Sequence, residues 1–153
     1  MLWVVNVLGG VGVLGSYAWG LLTQDDPSRL WGTIPEAARP IYSLCMPFAA
    51  AGYLTVLAWA HRNPDPRMVG AMSVMLAAST LWMPLSFAAL ENAALLPLVQ
   101  GVLAVTAAAS LSMGVLVVQG RASSLRWAAL AGIVAFSWQT VVLDAMIWPR
   151  FFG

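Results

Sequence analysis

Few side chains in this sequence are able to move a proton or hold a charge, and the one most in need of a physical reason is Asp144. It lies inside an apolar stretch that runs from Trp127 to Trp148. An ionisable group in hydrocarbon costs ~2.5 to 3.5 kcal/mol at mid-membrane and less toward the edge, so Asp144 is expected to face other helices and not lipid. At a 3.6-residue period Ser137, Thr140, Asp144 and Trp148 form one stripe, while Ser73, Thr80, Pro84, Phe87 and Glu91 form another in an earlier stretch. Facing one another, the two stripes would make a polar wall near one end of a helix bundle.

Two kinds of chemistry fit such a wall. Asp144 either orients the polar group of a ligand or relays a proton. Paired with Glu91, it would supply the acid and base of an isomerase-type reaction on a lipid or sterol, provided that their environments separate the two pKa values. The structural alternative is an ion pair with Arg29, Arg39 or Arg150, or a cap on a neighbouring backbone, since long Arg side chains reach such acids and buried charges are normally paired. Glu91 itself falls at a helix junction, where exposure is expected. His61 ends an apolar stretch beside Arg62, and no second His or Cys stands at metal-ligand spacing. Cys45 is the single cysteine, which excludes an internal disulfide or a CxxC pair and makes a buried, inert thiol the expectation. Neither a metal nor a cofactor is expected.

Aromatic residues are the other resource. The chain has 8 Trp. Trp19, Trp31, Trp59, Trp127 and Trp148 fit interfacial belts, whereas Trp82 and Trp138 fall within apolar stretches. Pro84 removes a hydrogen bond to the carbonyl of Thr80 and opens space beside Trp82; Pro47 does the same near Tyr42, Phe48 and Tyr53. An aromatic pocket for a flat, largely apolar molecule is one reading and plain bundle packing is the other.

The elements that position these residues follow from hydropathy. Five apolar stretches, Leu2 to Leu22, Pro40 to Ala60, Met68 to Leu90, Ala93 to Val118 and Trp127 to Trp148, each approach the ~20 residues that a bilayer core requires. With 61% hydrophobic and 8% charged residues and a mean hydropathy of +0.82, a soluble domain is excluded. Stretches such as Val99 to Ala109 are apolar or small on every side, which excludes the alternation of barrel strands. The fold class is thus an all-α integral membrane protein, one transmembrane domain over residues 1–153, with five helices and a long first loop. The first stretch lacks Lys or Arg before its apolar part and is longer than the core of a secretory signal, so it is kept as the first helix.

Five spans place Arg62, Arg67, Arg121 and Arg126 on the side of the N-terminus and Arg29, Arg39 and Arg150 on the other, which favours a cytoplasmic N-terminus. The first loop, Thr23 to Arg39, is long enough to be a lid or binding loop, and its Leu30, Trp31 and Ile34 are apolar enough to fold back on the bundle or dip into the interface. Gly10, Gly12 and Gly15 match a dinucleotide-binding spacing, but within a membrane span the pattern reads as close packing. Gly12, Ser16 and Gly20 recur every four residues, as do Ala104, Ala108 and Ser112.

The segment Ser79-Thr80-Leu81-Trp82-Met83-Pro84-Leu85-Ser86-Phe87 resembles the Asn-Thr-Leu-Trp-x-Pro-x-Phe-Phe segment in the third helix of the translocator protein family, also called tryptophan-rich sensory proteins. Pro40-Ile-Tyr42, followed by Phe48 and Tyr53, is similar to that family's second helix, and Phe136 to Thr140 through Asp144 is a weaker likeness to its fifth. The family's Trp- and Pro-rich first-loop signature is reduced here to Trp31, Pro35 and Pro40, and its third-helix Asn is replaced by Ser79. The resemblance implies a cavity beneath the first loop that binds tetrapyrroles or sterol-like lipids, and a tendency to form homodimers.

The leading expectation is therefore membrane-embedded binding, sensing or transport of a flat hydrophobic molecule. Its site residues would be Trp31, Tyr42, Phe48, Thr80, Trp82, Phe87, Trp138, Thr140 and Asp144. The partners would be that molecule and membrane lipids, with no nucleic acid. The intramembrane isomerase using Asp144 and Glu91 is the alternative, followed by a small transporter or assembly subunit, although inverted repeats are not evident in five spans.

Overall fold

A computed structural model describes residues 1–152, and within them the chain is an all-α bundle of five helices, each long and apolar enough to cross a membrane. In chain order these are α1 (Leu2–Thr23), α2 (Arg39–Arg62), α3 (Pro66–Glu91), α4 (Leu96–Gln119) and α5 (Ser124–Ser137). The last continues as a π-helical segment, Trp138–Ile147, and a closing 3-10 turn, Trp148–Arg150. With no water in the bilayer core to take up backbone groups, each span satisfies its own, which is why the apolar stretches become helices. The protein is a multi-pass integral membrane protein.

Helix ends follow local chemistry more than hydropathy. Asp65 caps α3 by accepting from the backbone N–H of Arg67 at 2.8 Å, and Pro66 fills the first turn, where its missing N–H costs nothing. Ser123 caps α5 in the same way through the N–H of Arg126. α5 consequently starts at Ser124, three residues earlier than its apolar stretch.

The helices form a ring in the order α1, α3, α4, α5, α2. α2 and α5 approach most closely at Gly52 and Gly132, where a Cβ on Gly52 would stand 2.3 Å from the Gly132 carbonyl oxygen. α1 lies on α3 along Gly9, Gly12, Ser16 and Gly20; a Cβ on Gly12 would be 2.9 Å from Thr80 Oγ1 and one on Gly20 would be 2.7 Å from the Met83 side chain. The four-residue small stripe of α1 thus packs as its spacing predicts. The similar stripe of α4 does not: Ala104, Ala108 and Ser112 face outward. α1 and α2, though consecutive, share few backbone contacts, and their seam is bridged by Trp3 against His61 and by the Tyr53 hydroxyl donating to Asn6 Oδ1.

Two apolar clusters fill the ring. One, toward the α2–α3 and α4–α5 turns, is built on a buried methionine stripe of α3, Met68, Met72 and Met75, against Val56, Met113 and Ile133. The other lies under the first loop and gathers Leu30, Ile34, Tyr42, Phe87, Trp148 and Phe152. The first loop is not irregular throughout, since two short 3-10 turns, Pro27–Trp31 and Glu36–Ala38, are built into it. It folds back onto the bundle: Leu30 and Ile34 are buried, Trp148 Nε1 donates to the Leu30 carbonyl at 2.9 Å, and the Thr33 N–H donates to the Phe151 carbonyl at 2.7 Å. Trp148, expected in an interfacial belt, is instead 4% exposed and stacked on Phe152 with ring centroids 4.0 Å apart.

Candidate functional site

Between the two clusters the ring encloses a cavity of about 620 Å³ lined from all five helices. α1 contributes Asn6, Gly10, Val13, Leu14 and Tyr17; α2 contributes Met46, Pro47, Ala50, Tyr53 and Leu54. α3 adds Met75, Leu76, Ser79 and Trp82, α4 adds Leu103 and Thr106, and the fifth helix adds Phe136, Thr140 and Asp144. Gly10 leaves room on this wall, because nothing lies within 4 Å of where its Cβ would be. Pro47 lies within α2 on the cavity wall, and Trp82 stands two residues before Pro84, so both intrahelical prolines fall beside the open space. Leu14 and Leu54, on the two sides of the α1–α2 seam, are 72% and 61% exposed, which opens the cavity sideways toward lipid.

Asp144 is the only ionisable Asp, Glu, Lys, Arg or His on this wall. Its Oδ1 accepts from Gln139 Nε2 at 2.7 Å. Among the described residues it makes no ion pair, so the alternative of a partnership with Arg29, Arg39 or Arg150 is not realised and an amide hydrogen bond takes its place. Arg29 is engaged elsewhere, 2.8 Å from Glu91, and Arg39 donates to the Ile34 carbonyl. Thr140 Oγ1 lies 3.0 Å from Ser110 Oγ and donates to the Phe136 carbonyl, knitting the fifth helix to α4. The indole N–H of Trp82 is buried with no acceptor, and its ring packs against Tyr17 and Trp148.

The nine residues singled out from sequence therefore separate into four groups. Trp82, Thr140 and Asp144 line the cavity. Tyr42, Phe87 and Trp31 belong to the layer under the first loop: Tyr42 donates to the Leu143 carbonyl at 3.4 Å, Trp31 stands edge-on to Tyr42, and Phe87 packs beside Trp19. This layer separates the loop from the cavity, and no residue of the loop lines it. The expectation of a cavity directly beneath the loop, with Trp31 on its wall, is corrected accordingly. Phe48 and Trp138 are 68% and 53% exposed on the outside of the bundle and form no part of the wall. Thr80 bonds back to the Leu76 carbonyl and sits in the α1–α3 contact.

Glu91 is likewise off the cavity, with its side chain 72% exposed and paired to Arg29. The acid–base pair required by an isomerase is not assembled, because the two carboxylates do not share one space. The two stripes share only their aromatic ends, Phe87 and Trp148, in the cluster under the first loop; their polar residues do not form one wall, since α4 stands between α3 and α5 in the ring. Sequence reasoning missed Tyr17, Asn6 and Gln139. Tyr17 and Asn6 are polar groups in a predominantly apolar span, a signal of the same kind as Asp144. Gln139 next to Thr140 carried it too.

The architecture is that of a multi-pass membrane protein built around an internal, laterally open cavity with a single carboxylate. Family models, curated proteins and solved structures yield no match to the chain.

Proposed function

We propose that the protein binds a flat, largely apolar small molecule within the membrane, sterol-like or tetrapyrrole in shape, for sensing or transport, with Asp144 as the polar anchor. The observation that carries this reading is the cavity itself: about 620 Å³, apolar over most of its wall, with one carboxylate. Binding pockets have this character, an apolar lining with a few convergent polar groups. Trp82 adds a flat wall near Asp144, and a ligand with a donor group would satisfy the carboxylate. The exposed seam between Leu14 and Leu54 supports entry from the lipid phase.

The Ser79–Phe87 segment supports a distant kinship with the translocator family, and the excess of Arg at the α2–α3 and α4–α5 turns supports a cytoplasmic N-terminus. The test is a titration of the purified protein in lipid nanodiscs with protoporphyrin and, separately, with a fluorescent sterol, following Trp emission. Gly10→Leu fills the cavity without a backbone clash, whereas Gly15→Leu places the same side chain outside the cavity wall, where nothing lies within 4 Å of its Cβ. Saturable binding of either probe that Gly10→Leu weakens by about tenfold or more, and Gly15→Leu leaves alone, is expected. Unsaturable quenching by both probes, equal in all three proteins, means partitioning into lipid and sinks the reading.

A further inference from the structure

A second pocket, of about 410 Å³, lies at the opposite end of the bundle from the first loop, where the α2–α3 and α4–α5 turns meet. Its chemistry is the reverse of the cavity's. Arg62, Arg67 and Arg121 line it together with Trp59 and Asp65. Asp65 is committed to Arg67, whose Nη2 donates to its Oδ2 at 2.9 Å and whose Nε reaches both carboxylate oxygens at 3.2 Å. Arg62 and Arg121 make no ion pair or side-chain hydrogen bond among the described residues. Two guanidinium groups are thus left facing one space with nothing to neutralise them.

Trp59 is an independent pointer to a ligand. It is 2% exposed, lines the pocket, and its indole N–H has no acceptor, which is unfavourable in a buried position. Its ring is fixed against Gly120, where a Cβ would stand 2.2 Å from Trp59 Cζ2, so the indole is held in place rather than free to turn toward water. One acceptor on the rim, the Gly120 carbonyl, is already taken by Arg126 Nη1 at 2.9 Å. The pocket therefore carries two uncommitted guanidiniums beside a buried indole N–H that has no acceptor.

We propose that this pocket holds the phosphate headgroup of an anionic membrane lipid. A phosphate supplies the several acceptor oxygens that guanidinium forks and an indole N–H require. The pocket stands at the ends of α2 and α4, at headgroup depth, and basic pockets between transmembrane helices at this level suit phosphorylated headgroups. A soluble phosphate has the same chemistry but no acyl chains to lie along the exposed apolar flanks of α4, such as Val115 and Val118.

The full-length protein in neutral detergent is incubated with phosphatidic acid, phosphatidylglycerol or phosphatidylcholine, and retained lipid is counted by native mass spectrometry, with inorganic phosphate as competitor. Anionic lipid is expected to be retained about twenty-five-fold better than phosphatidylcholine, since each of the two uncommitted arginines is worth about fivefold. Arg62→Gln with Arg121→Gln should erase the preference, Trp59→Phe should reduce it, and Arg150→Gln at the other end of the bundle should leave it intact. Thermal unfolding of each variant separates lost binding from lost fold, and a folded double variant that keeps the preference overturns the site. Equal retention of charged and zwitterionic lipid also overturns it. Displacement by millimolar inorganic phosphate reassigns the pocket to a soluble anion and overturns the lipid assignment.

Discussion

Gln139 and Asp144 are hydrogen-bonded at 2.7 Å across five residues of the fifth helix, a separation at which a regular α-helix would point them about 140° apart. The Trp138–Ile147 segment is π-helical, and its i to i+5 register brings the two side chains onto one face. The same widening delivers the carboxyl to the cavity while its partner stays buried, Gln139 being 5% exposed. π-helical turns are frequent at functional sites.

The pair predicts an asymmetry in stability. Gln139→Leu leaves the Asp144 oxygen without its donor, at a cost of about 1 to 3 kcal/mol, and should lower the unfolding midpoint in detergent. Replacing both, Gln139→Leu with Asp144→Leu, removes the unpaired group and should recover most of that loss. A double variant no more stable than the single would mean that the bond is not what holds Asp144.

Docking of the first loop hangs on a glycine. Gly32 has φ +51, and a Cβ there would fall 2.1 Å from the Phe151 carbonyl oxygen, which Thr33 N–H and Oγ1 both engage. Gly32→Ala therefore strains the backbone and forces apart the loop and the C-terminal segment. Limited proteolysis within residues 24–38 should speed up by about tenfold or more, with the unfolding of the helices little changed, because the loop opens as a local unit. Cleavage at the wild-type rate would show that the loop holds without this contact.

Hydropathy made the spans legible because a bilayer imposes a length and an apolar content on every one of them: α1 begins at Leu2 and α3 ends at Glu91, next to the ends of the apolar stretches. It could not say which face of a span looks inward, since lipid and protein interior are equally apolar. Trp138 and Phe48 therefore read as walls although both face out, and Tyr17 went unnoticed although it faces in. The ring order was beyond reach for the same reason, and with it the separation of Glu91 from Asp144. Asp144 and Trp82 were legible because a carboxyl cannot be left in lipid and because Trp82 lies beside a proline-distorted turn. The π-helical register has no sequence signal that we recognise.

The cap of α3 carries a pH dependence whose sign is fixed. Asp65 accepts from the side chain and then the backbone N–H of Arg67, which holds its carboxyl below the ordinary Asp range. A group depressed in the folded state contributes stability above its unfolded value of ~3.9, and the contribution disappears as pH falls through the folded value. Asp65→Asn still caps the helix through its side-chain oxygen but neither titrates nor pairs with Arg67. Between pH 7 and pH 3 the unfolding midpoint of the wild type should therefore fall further than that of Asp65→Asn, and the two should converge at the acid end. Parallel pH profiles would mean that the Asp65 charge contributes nothing to folding, leaving the cap to work through hydrogen bonding alone.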